Sequence, residues 1–132
     1  MTHPPLIVIV GPTASGKSDL AMNLAQQFNG EIIAADSRTI YKGLDIGSAK
    51  PTKADQTLIK HHLLDVVSPN QAYSAARFQK DAILAVEDIY KRGKLPIMVG
   101  GSGLYVDSVI FNYEFSPAAD QKLRTKLSEL SL

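Results

Sequence analysis

The residues with the most chemistry per position lie in one octapeptide, Gly11-Pro12-Thr13-Ala14-Ser15-Gly16-Lys17-Ser18. It fits the pattern G-x-x-x-x-G-K-[ST] in full. The glycines let the backbone approach an anion closely, and the backbone N–H groups of the loop and of a following helix point at phosphate oxygens. Lys17 adds a charge on the terminal phosphates, and Ser18 offers a hydroxyl to Mg²⁺. A lysine in the first turn of a helix faces the positive end of the helix dipole, which is unfavourable unless an anion is present. The position of Lys17 therefore argues for a bound phosphate over a glycine turn that happens to carry a lysine.

Asp36 is the second candidate. It follows the apolar run Ile32-Ile33-Ala34-Ala35. In open α/β sheets ligands bind at the carboxyl ends of strands, so Asp36 is expected to share a crevice with the phosphate loop. A carboxylate there can hold a metal's water shell or take a proton from an incoming nucleophile. The alternative is an ordinary acidic turn residue, because Asp36-Ser37-Arg38-Thr39 is also a fair N-cap signal.

The elements that must position these groups follow from periodicity. Leu6 to Val10 is a β-branched run suited to a strand buried on both faces of a parallel sheet. From Lys17, the residues Leu20, Leu24 and Phe28 recur on one helical face, with Asn29-Gly30 as the stop. Ile32 to Ala35 reads as a second strand, 37–51 as loop, and Leu63 to Val67 as a short strand. Ser74 to Arg92 is a long helix with the stripe Ala75, Phe78, Ala82, Ala85 and Ile89, and Lys91 and Arg92 suit its C-terminal end. Pro96 to Val99 is a further strand with Gly100-Gly101 at its exit. Ser102 to Phe111 and Ala118 to Leu130 read as helices. Strands alternating with helices predict an α/β fold with a parallel sheet flanked by helices.

Bulk properties narrow the field. The chain has 132 residues, 45% of them hydrophobic, which fits one globular domain. A net charge of +1 neither favours nor excludes a nucleic-acid partner. There is no cysteine, so disulfides, thiolate catalysis and Cys-type zinc sites are excluded. The start of the chain has no basic n-region, and its apolar run is too short for a signal peptide or a membrane span. The expectation is a cytoplasmic protein without a membrane partner.

Four blocks, GPTASGKS, ADSRTIYKGLDIGSAKPT, HHLLDVVSP with YSAARF, and PIMVGGSGLY, occur in this order from about Leu6 to about Arg124. Together they resemble the tRNA dimethylallyltransferase (tRNA isopentenyltransferase) family. The resemblance implies a P-loop NTPase-like core over 1–116, with 117–132 as the start of the family's helical tRNA-binding insertion. It implies transfer of a dimethylallyl group from dimethylallyl diphosphate to the exocyclic amine of the adenine 3′ of the tRNA anticodon. On that basis Gly11 to Ser18 grip the diphosphate leaving group, with Mg²⁺ near Ser18, and Asp36 is the general base. Asp36, Ser37, Arg38, Thr39, Ser102 and Arg124 would face the tRNA. The family often has glutamine where Thr39 stands and threonine where Ser102 stands. Its members are typically more than twice this length, so the chain is expected to be an N-terminal piece or the product of a shortened reading frame. The complete form is expected to be a monomer.

Without the resemblance, other functions stay open. A small-molecule or nucleotide kinase would use ATP in the same loop, with Asp36 activating a hydroxyl, although the arginines at 38, 77, 92 and 124 are scattered and form no arginine-rich lid. A non-catalytic fragment that binds diphosphate is the third possibility. The adjacent pair His61-His62 cannot turn both rings to one metal on a regular element, so hydrogen-bonded or solvent-facing histidines are expected. Tyr41 and Tyr105 suit packing better than base stacking.

Overall fold

Ile7, Val8, Ile9 and Val10 form strand β1 (Ile7–Val10), and the chain passes from it towards helix α1 (Lys17–Gln27). The computed structural model describes residues 5–11, 16–43, 50–101 and 103–110. After α1 come β2 (Gly30–Ala34), α2 (Lys53–Leu58), β3 (His61–His62), α3 (Ala75–Lys91), β4 (Leu95–Gly100) and α4 (Gly103–Ile110). The described strands form one parallel sheet in the order β1-β4-β2-β3. The expected helix from Ala118 to Leu130, and the boundary at residue 117, lie outside the described residues.

Helices cover both faces of the sheet because the strand side chains alternate. Ile7, Ile9, Ile32 and Ile97 pack with Ala21, Leu24 and Ala25 of α1. Leu6, Ile33 and Met98 pack with Phe78, Ala82, Val86 and Ile89 of α3 and with Val106 and Val109 of α4. The stripe read on α3 is thus the buried one, and Ser74 caps it by accepting a hydrogen bond from the Arg77 N–H at 3.1 Å. Tyr105 packs as expected, stacked on Phe78 with ring centroids 4.5 Å apart.

Three elements differ from the sequence expectation. Gly30 does not end α1. Asn29 takes the left-handed turn (φ 53°), and Gly30 already pairs in β2. The strand expected over Leu63 to Val67 is displaced to His61–His62, because Leu63 (φ 66°) and Asp65 (φ 54°) are left-handed and cannot continue a pleat. The segment turns instead onto the loop after β2, where the N–H groups of Asp65 and Val66 donate to Thr39 and Ile40 carbonyls. Helix α2 was not foreseen. Its signal is Thr52, whose hydroxyl accepts from the Asp55 N–H at 3.1 Å.

One close approach fixes the exits of β2 and β4. A Cβ placed on Gly100 would lie 2.0 Å from the Ala35 carbonyl oxygen, inside any tolerable contact. Ala35 donates its own N–H to the Val99 carbonyl at 2.8 Å. The two strands therefore leave the sheet in contact, one residue before Asp36.

At the opposite end, Glu31 is buried in β2 at 4% exposure. Arg92, at the C-cap of α3, donates to both of its oxygens at 2.6 and 2.7 Å, and His62 of β3 donates to Oε1 at 2.7 Å. The Arg92 guanidinium holds the Glu31 carboxyl down at about 2, against an ordinary 4.5 and against the opposing effect of burial. Arg92 is thus a structural residue, as basic residues at helix ends commonly are.

Two outcomes are expected. Gly100→Ala should destabilise the fold by at least about 2 kcal/mol, read as a lowered urea midpoint; an unchanged midpoint would refute the contact. Because the folded pKa of Glu31 is depressed, its contribution is fully present above about pH 4.5 and is lost as pH falls towards 2. Thermal midpoints should drop across that window, and Glu31→Gln should flatten the drop while costing about 1–3 kcal/mol near neutrality.

Candidate active site

The carboxyl ends of β2 and β4 and the start of α1 open onto one cleft of about 180 Å³. Lys17 and Ser18 of α1 line it, with Asp36 and Thr39 after β2 and Gly100 at the end of β4. Its far wall comes from Lys50, Pro51, Thr52 and Asp55, the last of these on α2, and from His61 on β3. Apolar side chains, among them Met22, Ile32, Leu64 and Val99, line the rest.

Gly16 stands at the N-cap of α1 with φ 80°, a left-handed turn that suits glycine and presents the helix N-terminus to the cleft. Lys17 follows at once. Its Nζ lies beside Gly101, 3.8 Å from where a Cβ there would stand. The exit of β4 and the lysine of the loop thus meet at the mouth of the cleft. Gly11 ends the described part before the loop, and its carbonyl faces the same Gly101. Pro12, Thr13, Ala14 and Ser15 lie outside the described residues.

Asp36 is held by the turn that follows it. Its Oδ1 accepts the Arg38 N–H at 2.8 Å and sits 3.5 Å from Arg38 Nε. The Thr39 hydroxyl donates to the Asp36 carbonyl at 3.3 Å. Asp36 thus serves a turn and caps no helix, since residues 37–43 hold none, and the turn engages one carboxylate oxygen. Oδ2 makes no hydrogen bond to any described residue, and the carboxylate is 14% exposed. Ser37 and Arg38 are exposed at the rim. Thr39 is buried at 3%, with its hydroxyl committed to the turn. Ser102 and Arg124 lie outside the described residues.

Sequence reasoning passed over the far wall. His61 donates from Nδ1 to the Ile59 carbonyl at 2.8 Å, which leaves Nε2 as the acceptor of the neutral ring. Burial pushes the His61 imidazole below its ordinary value. His62, its neighbour, points to Glu31 at 2.7 Å. The two rings diverge, as an adjacent pair on a strand must. Lys50 is paired with Asp65. The signal for this wall was Lys50-Pro51-Thr52, a cation set just before a helix cap.

For Mg²⁺, Ser18, Asp36 and Asp55 offer hard oxygen donors along the cleft. No group of three or more His, Cys, Asp or Glu side chains that could hold a metal occurs among the described residues. Among the described residues, no helix is long and apolar enough to cross a membrane.

A parallel sheet whose first strand leads through G-x-x-x-x-G-K-S into a helix, with an acid at the exit of the next strand, is a P-loop NTPase-like α/β fold. The family model for IPP transferase matches residues 39–132, and the chain belongs to that family. The tRNA dimethylallyltransferase of Caldicellulosiruptor bescii is 55% identical over 124 residues, which is 93% of this chain and 40% of that protein. The protein of the same name in Thermoanaerobacter sp. strain X514 is 52% identical over 127 residues, 96% of this chain and 40% of that one. The crystal structure of the tRNA isopentenylpyrophosphate transferase of Staphylococcus epidermidis superposes with a TM-score of 0.79 at 47% identity, covering 98% of this chain and 43% of that one. A eukaryotic dimethylallyltransferase described as acting on tRNA gives 0.78 at 39% identity, covering 86% and 28%. The chain thus spans about two-fifths of the length of the bacterial relatives it matches. These likenesses do not favour the kinase.

Lys17→Ala should weaken binding of inorganic pyrophosphate by roughly 10-fold or more, the cost of losing a charged hydrogen-bond donor. Titration calorimetry checks this, and unchanged affinity would remove Lys17 from the anion site.

Proposed function

We propose that this chain carries the donor-binding and base-bearing part of a tRNA dimethylallyltransferase. The observation that carries this most directly is the shared cleft: Lys17, Ser18 and the partly buried carboxylate of Asp36 line one space. In the reaction the C1–O bond of dimethylallyl diphosphate breaks, and the diphosphate leaves with the bonding electrons. A bond forms between C1 and the exocyclic N6 of adenine. N6 loses one proton, which Asp36 accepts on Oδ2.

Each group has a physical task. The N6 lone pair is delocalised into the ring, so the amine is a poor nucleophile until a base takes its proton. Charge grows on the departing diphosphate, where Lys17, the loop N–H groups and the α1 N-terminus stabilise it. Mg²⁺, when bound, would be held by the Ser18 hydroxyl and the phosphate oxygens and would neutralise part of that charge. The exposed turn residues Ser37 and Arg38, with Thr39 beneath them, stand at the rim where a flipped adenine would enter. Ser102 and Arg124 belong to the same tRNA-facing role. The soluble setting of tRNA supports a cytoplasmic location, and the complete form would act as a monomer.

The test is prenylation of an anticodon stem-loop RNA in the presence of Mg²⁺, read by mass spectrometry. Asp36→Asn keeps an acceptor for the Arg38 N–H but removes the base. It should lower kcat by about 10²–10⁴-fold while leaving the donor's KM nearly unchanged. Small, equal changes in both would remove Asp36 as the base. Phosphoryl transfer from ATP without prenylation would overturn the proposal.

A further inference from the structure

Lys50 has a setting unusual for a lysine on a loop. Its side chain is only 10% exposed, and it lines the same cleft as Lys17 and Ser18. It reaches the cleft from the other side, where Pro51 and the Thr52 cap fix its backbone ahead of α2. Its ammonium is paired with the Oδ1 of Asp65. Asp65 is presented by two left-handed residues, itself and Leu63, and its N–H is tied to the Thr39 carbonyl at 3.0 Å.

The pair is asymmetric. Asp65 is 43% exposed against 10% for Lys50. The lysine is committed to the interior, and a buried cation without a counter-ion is costly. The carboxylate can turn into water at little cost. A diphosphate has charge and oxygens enough for more than one cation: one terminal phosphate alone carries roughly −1.5 to −2 charges near pH 7.

We propose that Lys50 is a second diphosphate-binding cation of this cleft, held by Asp65 until a phosphate oxygen takes the place of the carboxylate. This rests on the diphosphate reading of the cleft given above. It makes Lys50 and Lys17 a pair that closes on the diphosphate from two sides, so the leaving group is held by groups from two different elements. Asp65 then acts as the stand-in anion that holds Lys50 in place.

Three variants and inorganic pyrophosphate test the assignment by titration calorimetry, with thermal melts to establish folding. Lys50→Gln should weaken pyrophosphate binding by roughly tenfold or more. Asp65→Asn should leave the affinity unchanged or raise it, because it removes the competing carboxylate. A purely structural tie between Lys50 and Asp65 requires both variants to weaken binding alike, and that result overturns the proposal. Unchanged affinity in Lys50→Gln overturns it too, as does a loss of affinity for the RNA stem-loop alone. Should Lys50→Gln fail to fold, Asp65→Asn still decides: weaker binding overturns the proposal and equal or tighter binding supports it. Binding lost in Lys17→Ala but kept in Lys50→Gln sinks this inference and spares the function above. No binding to the unaltered chain sinks both.

Discussion

The contact between Gly100 and Ala35 is the constraint on which the site depends. Two parallel strands that leave a sheet normally diverge with its twist. Here the absent side chain at Gly100 lets the Ala35 carbonyl close in, and the following residues inherit the proximity. Asp36 comes directly after Ala35, and Gly101 directly after Gly100. Gly101 in turn meets Gly11 and the Lys17 ammonium. Asp36 and Lys17, from separate elements, are thereby brought to one cleft by backbone packing, before any side-chain hydrogen bond is made.

The sheet divides its labours by end. Towards the cleft, one oxygen of Asp36 makes no hydrogen bond to a described residue, and Lys50 is held by the exposed Asp65. At the amino end of β2 the polar groups are consumed. Glu31 receives Arg92 and His62 and joins β2, β3 and the end of α3 in one buried knot. Between the two ends lies an apolar core in which Ile33, Phe78, Val86, Met98 and Val109 are fully buried. On β3 the two roles fall to neighbours: His61 lines the cleft, and His62 turns to Glu31.

Much of this was legible in the chain. The strand from Ile7, the helix from Lys17 and the stripe on α3 were read within a residue or two, because each has a strong apolar pattern. The meeting of Lys17 with Asp36 in one cleft was legible too, because ligand sites of open α/β sheets lie at the carboxyl ends of the strands. The third strand was not, since nothing in Leu63-Leu64-Asp65-Val66-Val67 announces that a leucine and an aspartate will take left-handed backbone conformations; tertiary hydrogen bonds to Thr39 and Ile40 impose them. Helix α2 was missed because its residues carry no apolar period, and only Thr52 and Asp55 mark it. The far wall of the cleft therefore escaped notice, as did the part of Lys50 in it. Pairings such as Glu31 with Arg92, 61 residues apart, lie beyond any local pattern.

Helix α2 buries none of its residues, yet it and its cap form part of the cleft wall. Local opening free energy follows buried apolar contact and hydrogen bonds shielded from water. The two sides of the cleft are therefore unequal in stiffness. Lys17 and Asp36 stand against the packed sheet, and Thr52 and Asp55 stand on a short exposed turn of helix. Amide protons of α2 should exchange with solvent long before those of α1 and β4, which makes the wall opposite Lys17 the compliant half of the cleft.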